Sequence, residues 1–110
     1  MSGIFSIDSV DDVIHGRLRL GVMAYLLAAG EADFTQLKAK TAATDGNLSV
    51  QLRKLEEAGY VAISKSFVGK KTVTGVVLTE QGRQAFIRYL ENMQHLINQA
   101  ALADQSPPAE

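Results

Sequence analysis

The stretch that decides the fold is Thr44-Asp45-Gly46-Asn47-Leu48-Ser49-Val50-Gln51-Leu52-Arg53-Lys54-Leu55-Glu56-Glu57-Ala58-Gly59. Leu48, Leu52 and Leu55 stand at i, i+4 and i+7, one apolar stripe on a helix whose other faces are polar. Thr44 or Asp45 supplies the N-cap and Gly59 closes the segment. Upstream, only Ala42-Ala43-Thr44 separates this helix from a shorter one capped at Asp33, which carries Phe34 and Leu37 and ends near Thr41. Two helices joined so tightly, the second polar outside, meet the requirements of a helix-turn-helix. In such a motif the N-terminal part of the second helix enters the major groove.

The residue types suit that task. Gly46 permits close backbone approach. Asn47 and Gln51 can pair bidentately with adenine, Ser49 donates or accepts, and Val50 suits a thymine methyl. Arg53 and Lys54, further along, are placed for phosphates, with Thr44 at the start of the helix.

Outward from this core the pattern stays regular. Apolar residues from 13 to 29, including Leu18, Val22, Met23, Leu26 and Leu27, predict a first helix that stops at Gly30. After Gly59 the period changes to two. Residues 60–65 and 72–78 are rich in β-branched side chains and flank Ser66-Phe67-Val68-Gly69-Lys70-Lys71, which predicts a β-hairpin. Lys65, Lys70 and Lys71 then lie on or beside its loop, within reach of a phosphate backbone or minor groove. Phe67 and Val68 form either apolar support or a hydrophobic tip. Thr79 caps a final helix over about 79–103, in which Phe86, Leu90, Met93 and Ile97 alternate steps of four and three, a heptad-like seam. The expected architecture is mainly α with a β-hairpin, in the order α-α-α-β-β-α. It is one domain over 1–103 followed by a polar, proline-bearing, disordered tail over 104–110.

Three blocks of the sequence resemble bacterial winged helix-turn-helix regulators. The run 44–61 is similar to their recognition helix and first wing strand, Lys65 to Lys71 to their wing, and Leu78-Thr79-Glu80-Gln81-Gly82-Arg83 to the start of their last helix. The likeness is to small single-domain MarR/ArsR-like transcriptional regulators and covers about residues 10–97. Thr41 and Ala43 depart from it, standing where that family has larger aliphatics. The resemblance implies a homodimer on double-stranded DNA that reads a pseudo-palindromic operator, with recognition helices in successive major grooves; a cytoplasmic regulator is expected, and repression over activation, since no partner-recruiting segment is visible. It also implies dimerisation through the terminal helices: Phe86, Leu90, Met93 and Ile97, with Ile4, Phe5 and Ile7 assisting. An effector, of unknown identity, would bind between those helices and the DNA-binding body. The rival expectation is a winged-helix protein-interaction adaptor that does not bind DNA.

Composition narrows the classes further. The 110 residues are 46% hydrophobic and 21% charged, ordinary globular material. The absence of cysteine excludes disulfides, thiol chemistry and sulfur-ligated zinc. His15 and His95 lack the spacing of a metal pair and read as ordinary histidines, so neither metal nor cofactor is expected. No nucleophile–base set or phosphate-binding glycine loop is present, which argues against an enzyme. The opening residues carry no basic region ahead of an apolar block, so no signal peptide is expected. The net charge of −1 is unevenly spread. Residues 36–75 hold seven basic and three acidic residues, a local +4, while the remainder carries −5. Charges beyond ~10 Å are largely screened at 0.1 M salt, so a phosphate backbone senses the local basic segment more than the total.

Overall fold

A computed structural model describes residues 4–104; Met1 to Gly3 and the tail from 105 onward, where disorder was expected, lie outside the described residues. A 3-10 turn, Ile7–Ser9, precedes α1 (Arg17–Ala29), β1 (Glu31–Asp33), α2 (Phe34–Thr41), α3 (Asp45–Glu57), β2 (Val61–Val68), β3 (Lys71–Leu78) and α4 (Glu80–Asp104). The three strands form one antiparallel sheet in the order β1-β3-β2.

Local chemistry sets most boundaries. Asp33 and Gln36 form a reciprocal capping box at α2: the Gln36 N–H donates to Asp33 Oδ1 (2.8 Å) and the Asp33 N–H to Gln36 Oε1 (2.9 Å). At α3 the cap is Thr44, whose hydroxyl accepts from the Asn47 N–H at 3.2 Å. At α4 it is Thr79, whose hydroxyl accepts from the Gly82 N–H at 2.9 Å and donates to the Gly59 carbonyl at 2.6 Å.

The structure differs from the sequence reading in four places. The first helix starts at Arg17, not 13, because residues 11–14 form a turn around Asp11, whose Oδ1 accepts from the Val13 and Ile14 N–H groups (2.9 and 3.2 Å). A third strand, β1, joins the hairpin, pairing Glu31 with Val77 and Asp33 with Gly75. The hairpin is longer than expected: Val68 pairs with Lys71, so the loop shrinks to Gly69-Lys70. Gly69 has φ +64, at the first loop position, where type II′ hairpins take glycine. Finally, the terminal seam divides. Phe86 is 2% exposed in the chain's own core and Met93 packs against that core, whereas Leu90 and Ile97 are 41% and 59% exposed. Phe86 therefore has no surface left for a second copy.

One apolar core joins all the elements. Val22, Met23 and Leu26 of α1, Leu37 of α2 and Leu48, Leu52 and Leu55 of α3 meet Val61, Val76, Ala85, Phe86 and Tyr89. Burying a side chain of this size stabilises by about 1.5–3 kcal/mol. Ile14 enters the same core from the segment before α1, which runs as a strap across α4. The His15 imidazole pairs with the Tyr89 hydroxyl (2.8 Å), and the Tyr60 hydroxyl donates to Asp11 Oδ2 (2.5 Å). Burial, followed by that hydrogen bond and the Asp11 charge, pushes Tyr60 up to about 12, with Arg88 opposing. Gly82 lets α4 start against the hairpin: a Cβ there would lie 2.1 Å from the Tyr60 carbonyl oxygen.

Candidate nucleic-acid interface

Because Leu48, Leu52 and Leu55 hold α3 by its buried stripe, the remaining positions face outward in two groups. Ser49 and Arg53 line a cleft of about 410 Å³ between α3 and the hairpin, together with Lys65 of β2, Asp45, Glu56 and Thr74. Asn47 and Gln51 line a second cleft, about 460 Å³, with Thr44, Gly16, Arg17 and Arg19. Gly46, Asn47, Ser49, Val50 and Arg53 are exposed, whereas Gln51 is half-buried. Thr44, besides capping α3, sits at the mouth of the second cleft.

The basic residues separate by position. Arg53 and Lys65 share the first cleft, and Lys70 and Lys71 mark the exposed hairpin end beside Phe67 and Val68. Lys54 instead lines a third cleft with Asp12, Val13, Arg19, Glu57 and Ala58, which includes no residue of the hairpin. Lys38 is bound to Asp45 at 2.7 Å. Both partners are well exposed, so the pair adds little stability, but it links α2 to the first residue of α3.

Two arginines of α1 reach this region without having been assigned a role from the sequence. Arg17 and Arg19 occupy the first turn of a helix with no acidic residue there, the end where cations are disfavoured by the helix dipole. That mismatch was the available signal. The Arg19 guanidinium donates to the carbonyls of Val13 and Asp12 and to Gln51 Oε1. Gln51 Nε2 in turn donates to Asn47 Oδ1 at 3.0 Å. Both ends of the Gln51 amide are thus occupied within the chain.

Among the described residues, no group of three His, Cys, Asp or Glu side chains is placed to hold a metal ion. No helix among them is long and apolar enough to cross a membrane.

A tight two-helix motif, an exposed polar helix and a flanking basic hairpin define a winged helix-turn-helix protein. The chain belongs to the family of winged-helix DNA-binding domains, whose model matches residues 18–97. It is 36% identical over 78 residues to Uncharacterized protein MJ0432 of Methanocaldococcus jannaschii, covering 71% of this chain and 85% of that protein. It resembles a solved transcriptional regulator homologue from Pyrococcus horikoshii with a TM-score of 0.75 and 30% identity, over 80% of this chain and 87% of that one. BpsR of Bordetella bronchiseptica shares the fold alone, at TM-score 0.67 and 18% identity, over 92% and 75% of the two chains.

Proposed function

We propose that the protein is a homodimeric repressor that reads a pseudo-palindromic operator with α3 and grips phosphates with the wing. The observation that carries this is the cleft in which Ser49 and Arg53 of α3 face Lys65 of β2, continued along the hairpin by Lys70 and Lys71. A groove between a polar helix and a basic hairpin offers base-edge contacts beside phosphate contacts, the combination that specific recognition needs. Gly46, Asn47, Ser49, Val50 and Gln51 are the base-reading set; Thr44, Arg53, Lys54, Lys65, Lys70 and Lys71 are the phosphate and wing set, Lys54 contributing least.

The dimer reading rests on α4. Leu90, Leu96 and Ile97 are exposed there, near a strap end on which Ile4 and Ile7 are also exposed. From Gln94 to Ala103 the helix carries no charged residue. A helix end of that composition is stabilised by covering it, and a second copy covers it symmetrically. The seam is then Leu90, Met93 and Ile97 flanked by Leu96. Two α3 helices so related would fit half-sites about 34 Å apart. Occupying a promoter suffices to block transcription, which makes repression the expected sign of regulation.

The test is selection of genomic fragments by the purified protein, followed by gel shifts on the recovered sequences. Recovery of one inverted-repeat sequence supports the reading; recovery without sequence preference contradicts it. Exposed Phe67 and Val68 on the wing favour a second reading, an adaptor that binds protein through its hairpin. An adaptor shows no salt-dependent affinity for any duplex at low salt.

A further inference from the structure

Asn47 and Gln51 are one helical turn apart on α3, and both are amides whose two ends differ chemically. Which end faces a base decides what that base must offer. The structure fixes this from one side. Arginine has donors and no acceptor, so the Gln51 atom that meets the Arg19 guanidinium is the oxygen. Gln51 Nε2 therefore points the other way and donates to Asn47, whose facing atom must be Oδ1. That leaves the Asn47 Nδ2 group, with two N–H donors, as the outward end of the pair.

Arg19 is itself held from behind. Its guanidinium donates to the Val13 and Asp12 carbonyls of the strap. Gly16 keeps the space open, because a Cβ there would stand 2.5 Å from Arg19 Nη2. The orientation of the reading amides is thus set by a residue of α1 that is half-buried behind α3.

We propose that Arg19 is a positioning residue for base selection: through Gln51 it orients Asn47 to present N–H donors, so that Asn47 selects guanine. Guanine offers two adjacent acceptors, N7 and O6, in the major groove. Contacting them leaves the Arg19–Gln51–Asn47 chain intact. Bidentate pairing with adenine draws instead on Asn47 Oδ1, so the adenine amino group has to share that oxygen with the Gln51 N–H. This proposal rests on α3 being the reading helix, and it reverses the adenine preference expected of a free asparagine.

The test is selection of bound duplexes from a randomised pool, using the full chain and its variants. Asn47→Ala marks the base pair that Asn47 reads, as the position whose preference disappears. At that position the unaltered protein is expected to favour guanine over adenine by about tenfold. Arg19→Met, which keeps side-chain length but donates nothing, is expected to abolish or invert that preference while other positions keep theirs. Gln51→Met breaks the chain while leaving the Arg19 contacts to the strap, and is expected to act in the same way at the Asn47 position, besides removing any preference that Gln51 itself reads, if Arg19→Met does not fold. A merely structural Arg19 would lower affinity at every position alike. The proposal is overturned by adenine preference in the unaltered protein, by an unchanged guanine preference in folded Arg19→Met or Gln51→Met, or by an Asn47→Ala profile identical to the original. Absence of any duplex binding overturns the function reading itself, a separate and recognisable outcome.

Discussion

The side chain of Asn92 on α4 and the backbone of Ser6 in the strap exchange two hydrogen bonds: the Ser6 N–H donates to Asn92 Oδ1 (3.1 Å) and Asn92 Nδ2 donates to the Ser6 carbonyl (3.0 Å). Asn92 is a buried polar residue, and its amide supplies the pairing that a neighbouring strand would otherwise give the strap. Asn92→Ala leaves both Ser6 groups without that partner, which is expected to cost about 1–3 kcal/mol. Urea denaturation measures the loss, and limited proteolysis should show earlier cleavage within residues 5–16. Unchanged stability and cleavage would remove the strap from the structural account.

Gly82 and Gly46 predict opposite outcomes for the same substitution. Alanine at 82 drives a Cβ into the Tyr60 carbonyl, against backbone that cannot swing aside. Overpacking of this kind costs about 1–3 kcal/mol, more than the helix preference for alanine returns. At Gly46 nothing lies within 4 Å, so Gly46→Ala should leave stability equal or raise it by up to about 1 kcal/mol. Thermal unfolding of the two variants, compared with the parent, checks the contrast.

Tyr60 gives stability a signature in alkali. Its hydroxyl is raised from 10.0 to about 12 in the folded chain, so folding favours the protonated form. The contribution is complete below pH 10 and is lost as pH rises from 10 towards 12. The difference in unfolding free energy between the parent and Tyr60→Phe should therefore be flat up to pH 10 and change beyond it. A difference independent of pH across that window would contradict the Asp11–Tyr60 assignment.

The divided seam separates assembly from folding. Leu90→Glu with Ile97→Glu, both on exposed positions, should convert a dimer to a folded monomer in sedimentation equilibrium. Phe86→Ala should instead lower stability by about 3–5 kcal/mol through loss of core packing. A double glutamate variant that remains dimeric would move the interface away from α4.

What could be read from the chain, and what could not, follows from how far apart the causes lie. The helices were legible because their caps are local: Asp33 with Gln36, Thr44 with Asn47, Thr79 with Gly82. β1 was not, since Glu31-Ala32-Asp33 is too short to show a period. It becomes a strand because β3 offers an edge to pair with. The seam misled at Phe86 because α4 carries apolar residues on adjacent faces. Steps of four and three from Phe86 fit a heptad, yet Ala85, Phe86, Tyr89 and Asn92 form the stripe that the body buries. The residues proposed to read bases are legible as polar positions on a helix with a leucine stripe. Their hydrogen-bond state is not, because it depends on Arg19, 32 residues from Gln51 and on another helix.

If α3 and the wing together hold duplex DNA, binding must weaken as salt rises, because much of the contact is to phosphates. The measurement is the affinity of the full chain for its selected duplex across a salt series, repeated for Arg53→Ala, Lys65→Ala, the Lys70→Ala/Lys71→Ala pair and Lys54→Ala. The logarithm of affinity should fall linearly with the logarithm of salt. In the homodimer each substitution removes one phosphate contact per subunit, so Arg53→Ala and Lys65→Ala should each reduce the slope by about 2, the double variant by about 4, and Lys54→Ala by less than any of these. Affinity that does not vary with salt, or a slope that none of these substitutions changes, would contradict the account.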